Sequence, residues 1–245
     1  MKYLIGIDDT DNPDSRGTGF RARQLGMRLA EAGLGQLLGI TRHQLFVHPD
    51  IPYTSHNSSA CLALQADTAP AEALQDFCRD YLAAESADGS DAGLCIAADG
   101  AVTPEVVAFG RAAKDTILTR EQARELAARH RLHLEGVTGD HMGIIGALSA
   151  VALRSEGRDG RFIWLQGVRE LAGTASVDFL LGETGIDAVE EVDGAALSRE
   201  AVVSVDPWPR PVLIGGRAVL LVQRVEQNDA ACGWELLPKE AIRRY

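Results

Sequence analysis

The sequence predicts a mixed α/β protein, and three observations carry that prediction. Short apolar or alternating runs recur between amphipathic stretches as far as about residue 165. From Val168 onward strand-like runs predominate. No apolar run approaches the ~18 residues of a membrane span.

The elements follow in order. Residues 2–8 read as a short buried strand. A first helix starts near Phe20 and stops at Gly33, with Phe20, Leu25, Leu29, Ala22 and Ala32 on its apolar stripe. Residues 37–47 alternate as a strand, and the prolines and serines of "HPDIPYTSHNSS" make a loop. Residues 60–66 form a strand, 69–84 a helix and 94–97 a short strand. Thr103 and Pro104 signal a helix over 104–117, with Thr103 as its cap. Thr119 and Gln122 signal a second helix over 120–130 through a capping box. A strand at 133–137, a helix over 142–153 and a strand at 162–165 complete this part. Beyond it, strands are expected at 177–181, 202–205, 212–214 and 218–225. Gly215-Gly216 should close the last two as a tight hairpin, and 239–245 is a short basic end.

A chain of 245 residues holds one large domain or two ordinary ones. Its 46% hydrophobic and 24% charged residues are those of a globular protein. Met-Lys-Tyr runs straight into the first strand without a leader, so a cytoplasmic, membrane-free location is expected. Cys61, Cys78, Cys95 and Cys232 fall in no C-x-x-C pair, which argues for free thiols and against a structural zinc site. The net charge of -11 argues against a protein that grips nucleic acid mainly through phosphate contacts. The bias to arginine over lysine (only Lys2, Lys114 and Lys239) reads as compositional.

The chemistry-bearing stretch is "GIDDTDNPDSRGTGF". Asp8, Asp9 and Asp11 stand at the end of the first strand, where crowded carboxylates raise one another's pKa unless a cation neutralises them. Mg²⁺ suits such a site, because it takes carboxylate oxygens and bridges to substrate phosphates. Strand alternation lets at most two of the three face one ion. A solvated turn explains the same residues equally well. Gly17-Thr18-Gly19 leads into the first helix, where Arg21 and Arg23 oppose the dipole unless an anion binds. A second glycine-led helix follows "GVTGDHMGIIGAL": Gly139, Gly143 and Gly146 precede or open it, Asp140 is a candidate cap and His141 sits at its mouth. Taken alone, those glycines are better explained by close helix–strand packing than by phosphate binding. Tyr53, Thr54, Ser55, His56 and Asn57 could form a ligand rim or a plain surface loop.

Together these pieces resemble the archaeal agmatidine synthetases that modify the anticodon cytidine of isoleucine tRNA. The similar stretches are "GIDDTDNPDSRG", "HPDIPYTSHNSS" and "GDHMGIIGALSAVAL", in that order across roughly residues 3–165. The resemblance implies that Asp8, Asp9 and Asp11 serve Mg–ATP, that Gly143, Gly146 and Ala147 form the helix opening, and that Asn57 is the loop asparagine. The family's cysteine–threonine–threonine stretch becomes Thr18-Gly19-Phe20, with Thr18 the nearest hydroxyl, and its loop arginine becomes His56. The family's nucleic-acid-binding barrel and zinc ribbon have no counterpart in the sequence.

The resemblance implies a kinase-like ATP-binding domain of the agmatidine synthetase type at 1–35 and 101–167. A ferredoxin-like portion is inserted at 36–100, and a strand-rich segment at 168–245 packs on the body. The expected activity is Mg²⁺-dependent ATP binding with phosphoryl or nucleotidyl transfer to a small or nucleoside-like acceptor. Asp8, Asp9, Asp11 and Thr18 carry the chemistry. Gly17, Gly19, Arg21, Arg23, Asn57, Gly139, Asp140, His141, Gly143 and Gly146 hold the nucleotide. Modification of tRNA is the less favoured outcome, and a homo-oligomer is left open. The alternatives are a non-catalytic nucleotide sensor or partner-binding protein on the same scaffold, and a binding module without nucleotide.

Overall fold

The structure, a computed structural model, describes all residues except 54–55, 68, 226–231 and 244. The chain folds as two compact units, Met1–Glu156 and Gly157–Tyr245.

The first unit is built on β1 (Lys2–Asp8), α1 (Thr18–Glu31), β2 (Gln36–Gln44), β3 (Ser58–Gln65), α2 (Ala71–Glu85) and β4 (Gly93–Ala98). It continues through α3 (Pro104–Ala112), α4 (Arg120–Arg129), β5 (His133–Gly136) and α5 (Ile144–Glu156). Its strands form an antiparallel sheet in the order β5-β4-β1-β3-β2. Central β1 is apolar on both faces because helices cover both. Leu4 faces the cluster that holds Ala63, Cys95 and the α5 residues Ala147, Leu148 and Val151. Leu62 and Leu64 of β3 face the other way, toward α1, where Gly26 lets Leu37 and Leu62 close in. The sharpest approach to another backbone atom is at Gly6, where a Cβ would stand 2.0 Å from the Ala147 carbonyl oxygen. Glycine at this strand position is what lets α5 lie directly on β1.

Helix limits follow local hydrogen bonding. Thr119 and Gln122 make the expected capping box: Gln122 N–H donates to Thr119 Oγ1 at 3.2 Å, and Thr119 N–H donates to Gln122 Oε1 at 2.8 Å. Thr119→Ala should therefore cost about 1 kcal/mol in denaturant unfolding. Thr103 makes no cap bond, because its hydroxyl pairs with His130 Nδ1 at 3.3 Å. Helix α3 ends at Ala112, short of the expected 117, where Phe46 N–H captures the Ala113 carbonyl at 2.9 Å.

The second unit contains β6 (Arg161–Trp164), β7 (Thr174–Ser176), α6 (Val177–Glu183), β8 (Ala188–Glu191) and β9 (Val202–Ser204). After these come β10 (Val212–Ile214), β11 (Arg217–Arg224), β12 (Trp234–Leu236) and α7 (Lys239–Ile242). Its strands run β6-β10-β11-β12-β9-β7, with β8 parallel to β11. Strand β11 is buried on both faces: Ala218, Leu220 and Val222 enter one core, Val219 and Leu221 the other. Gly215 and Gly216, at φ 59° and 78°, close the expected β10–β11 hairpin. One expectation is corrected. Residues 177–181 are helical, because Ser176 accepts from Phe179 N–H at 3.2 Å and Val177 and Leu180 bury at helical spacing. The basic end contains α7, whose Ile242 is buried.

Among the described residues no helix is long and apolar enough to cross a membrane. Cys61, Cys78 and Cys95 are buried free thiols, and burial pushes Cys61 and Cys78 up to about 12, which keeps them inert.

Candidate functional site

β1 delivers Asp8 to the floor of an open cleft of about 840 Å³, solvent at its mouth included. The β1–α1 turn adds Asp9, Asp11 and Thr18, and the β2–β3 connection adds Tyr53, His56 and Asn57. Leu45, Ile117, Leu118 and Met142 make an apolar wall, and Gly143 and Gly146 bring the start of α5 to the floor. The cleft thus combines an apolar wall with a convergent acidic floor, the usual make-up of a small-molecule site.

Asp8 is pressed against α5. A Cβ on Gly146 would lie 1.8 Å from Asp8 Oδ2, so only glycine admits the carboxylate there. Burial, then Asp9 and Asp11, push the Asp8 carboxyl up to about 8, against a backbone hydrogen bond at Asp9 that lowers it. Asp9 adopts φ 52° and is pushed up to about 6, by burial first and then by Asp91 and Asp11. Asp11 has a different task. It accepts from Thr18 N–H at 3.3 Å and from the Thr18 hydroxyl at 2.9 Å, and so neutralises the first turn of α1. The Thr10 N–H and hydroxyl also reach Thr18 Oγ1, at 3.4 and 3.2 Å. Gly17, the residue before α1, makes no side-chain cap of its own.

The expected site residues divide into two groups. Asp8, Asp9, Asp11, Thr18, Asn57, Gly143 and Gly146 line the cleft. Gly17, Gly19, Arg21, Arg23, Gly139, Asp140 and His141 are outside its lining. Arg21 pairs with Glu85 at 2.8 Å, and Arg16, Arg21 and Arg23 surround the Phe20 ring at 4.0, 5.9 and 6.0 Å. Gly139 packs on Asp91, whose Oδ1 accepts from Asp140 N–H at 2.5 Å. Asp140 stands four positions before Ile144, too early to be the α5 cap, which corrects that expectation. Its carbonyl instead accepts from Arg120. His141 stacks over Gly136, where a Cβ would strike its ring. Asn57 holds the loop: its Nδ2 donates to the Phe46 carbonyl at 2.6 Å, and its own carbonyl accepts from Leu45 N–H at 2.9 Å. Thr54 and Ser55, expected on the rim, lie outside the described residues.

Asp91 is the member that sequence reasoning missed. Antiparallel pairing sets Gly93 opposite Asp8, which carries Asp91 beside Asp9. An acidic residue just before a strand was the only available signal.

The charge balance of the cleft is one-sided. None of the described residues lining it is Lys or Arg. The α5 mouth offers little free amide, since Gly143, Ile144 and Ile145 N–H already donate to the Asp91, His141 and Met142 carbonyls. Among the described residues no group of three or more His, Cys, Asp or Glu could hold a metal ion by itself. With Asp11 committed to Thr18, the remaining carboxylates fit a cation that takes one or two protein ligands and completes its shell elsewhere.

No family profile matches the chain. An uncharacterized protein of Methanocaldococcus jannaschii is 28% identical over 153 residues, 62% of this chain and 50% of its own length. The crystal structure of apo TiaS, an agmatidine synthetase acting on an isoleucine tRNA, matches with a TM-score of 0.53 at 22% identity, over 62% of this chain and 35% of that one. The chain resembles TiaS. The complex of TiaS with that tRNA and ATP matches at a TM-score of 0.55 and 24% identity, over 62% and 36% of the two chains. The likeness is one of fold, and the chain spans about half the length of the M. jannaschii relative and about a third of the TiaS chains.

Proposed function

We propose that this chain binds Mg–ATP in the acidic cleft and transfers a phosphoryl or nucleotidyl group to a small or nucleoside-like acceptor. The observation that carries this reading is the set Asp8–Asp9 at the end of β1, under Gly143 and Gly146, in a fold shared with a protein seen in complex with ATP. A polyphosphate entering alone would meet carboxylates and, among the described lining residues, no Lys or Arg side chain. Asp8 and Asp9 would hold the Mg²⁺, which when bound supplies the positive charge that transferring phosphate needs. Gly146 keeps Asp8 in place, and Asp91 borders Asp9. The apolar wall at Leu45, Ile117 and Leu118 would exclude water from an acceptor lodged against it. In this reading residues 1–35 and 101–167 form the kinase-like body and 36–100 the inserted ferredoxin-like portion. An acceptor on tRNA is less favoured by the net charge of -11.

A second reading, a nucleotide sensor without turnover, is favoured by one observation. The Thr18 hydroxyl is tied to Asp11 and Thr10, which withholds the only hydroxyl of the β1–α1 turn that lines the cleft.

Calorimetric titration with ATP and Mg²⁺ tests both readings. The wild-type chain should bind, and Asp8→Ala should weaken binding by about a hundredfold, as expected for a lost charge partner of about 2.7 kcal/mol. Release of phosphate or pyrophosphate over hours marks the enzyme, and binding without release marks the sensor. Equal affinities for wild type and Asp8→Ala would reject the site.

A further inference from the structure

The second unit holds a cluster that the acidic cleft does not explain. Arg161 opens β6 and pairs across the ladder with Val212 of β10. Phe162 N–H donates to the Pro211 carbonyl at 2.8 Å, which extends this register back to Arg210. By strand alternation Arg210 shares a sheet face with Val212, hence with Arg161. Val212 belongs to the core cluster that also holds Ile242 of α7, whereas Phe162 enters the opposite one. Gly160 N–H donates to the Tyr245 carbonyl at 2.7 Å, which sets Tyr245 at the start of β6, and Arg243, which caps α7, acts on Arg161 from the same side. Three guanidinium groups therefore converge on one side of the second unit.

The chain carries 35 acidic and 24 basic residues. Two other arginines of this unit pair with carboxylates, Arg199 with Asp178 at 2.6 Å and Arg217 with Glu190 at 2.9 Å, and Arg169 and Arg224 lie over the Trp208 and Trp234 rings. Among the described residues no carboxylate pairs with Arg161, Arg210 or Arg243. Arg210 Nη1 donates to the Trp208 carbonyl at 3.3 Å, and neither Arg161 nor Arg243 makes a side-chain hydrogen bond among the described residues. Arg161 is half-buried, and burial, then Arg210 and Arg243, push its pKa down. Guanidinium does not shed its proton near neutral pH, so the repulsion stands until an anion relieves it. Next to the cluster, the Trp208 ring is 39% exposed with the Arg169 guanidinium 4.8 Å from its centroid. A planar ring beside forked N–H donors suits a phosphate that carries a base.

We propose that Arg161, Arg210 and Arg243 form a binding site for a phosphate-class oxyanion, separate from the acidic cleft. The site does not depend on the cleft's function, and its probe is chosen to keep the two apart. Inorganic pyrophosphate and a short single-stranded RNA are titrated into the full chain at low salt with EDTA, so that no metal can bridge either probe to the carboxylates. The wild-type chain should bind at least one probe, and Arg210→Gln and the exposed Arg243→Gln should each weaken it by about tenfold, the loss of one charge-assisted contact. RNA binding more tightly than pyrophosphate would assign the anion to a nucleic-acid backbone. Pyrophosphate binding as tightly or more tightly would assign it to a free phosphate compound. Arg161→Gln should raise the melting temperature without anion and abolish the further rise that the probe produces. Equal affinity in wild type, Arg210→Gln and Arg243→Gln, no binding of either probe, or a lowered melting temperature in Arg161→Gln would overturn the proposal.

Discussion

Gly6→Val is expected to destabilise the first unit by at least about 3 kcal/mol, the upper range for overpacking a closed core. A Cβ at this position would sit 2.0 Å from the Ala147 carbonyl oxygen, and 3.0 Å from both Ala147 C and Val151 Cγ2. The first atom is backbone in the first turn of α5, so no rotamer change relieves the clash. The helix would have to lift from β1, opening the cluster of Leu4, Ala63 and Cys95 beneath it. The sign of the effect is diagnostic. Glycine weakens a strand interior and valine favours it, so without the helix contact Gly6→Val would stabilise. Gly100→Ala, where nothing lies within 4 Å of a Cβ, serves as the control and should change stability by no more than about 0.5 kcal/mol. Urea unfolding of the three proteins decides the matter, and a neutral or stabilising Gly6→Val would show that α5 does not rest on β1 as described.

The same contact marks where the sequence is readable and where it is not. The capping box of Thr119 and Gln122 and the Gly215-Gly216 hairpin are legible because each is set by neighbours within four residues. The helix at Val177–Glu183 reads as a strand because a short apolar run has no period that separates the two, and the decisive Ser176 cap is a single side chain. In the site, Asp8, Asp9 and Asp11 are visible as a cluster, yet their division of labour is not. Only the folded turn shows Asp11 spent on Thr18 while Asp8 is wedged beside Gly146. Leu45 and Ile117 reach the cleft, and Asp91 reaches Asp9, from segments distant in sequence, and no local pattern announces them. The glycines before α5 carry two readings. Close packing accounts for Gly143, which stands against the Asp8 and Asp91 carbonyls, and for Gly146, and it also builds the cleft floor.

Asp8→Asn is expected to stabilise the metal-free protein near pH 8 and to leave it almost unchanged near pH 4. The Asp8 carboxyl is raised from its ordinary 3.8 to about 8 in the fold, chiefly by burial and then by Asp9 and Asp11. Between those values the native state holds a proton that the unfolded chain has released. The slope of unfolding free energy with pH is therefore negative. The associated stability is complete below about pH 4, declines as pH rises and is lost above about 8. Asp9, raised to about 6, adds a decline of the same sign between about 4 and 6. Each pKa unit corresponds to about 1.4 kcal/mol. Because part of Asp8 still faces the open cleft, solvent screens the penalty, and a gain on the order of 2 kcal/mol for Asp8→Asn at pH 8 is the appropriate scale. Melting curves at pH 5 and 8 in EDTA should show the wild type losing stability and the variant losing less. Repeating them with Mg²⁺ carries the argument to function. A cation held by Asp8 and Asp9 replaces the proton, so it should restore the wild type at pH 8 and leave Asp8→Asn unmoved. Parallel pH curves for the two proteins would mean that Asp8 is not the strained carboxyl, and an equal Mg²⁺ response would mean that it does not hold the ion.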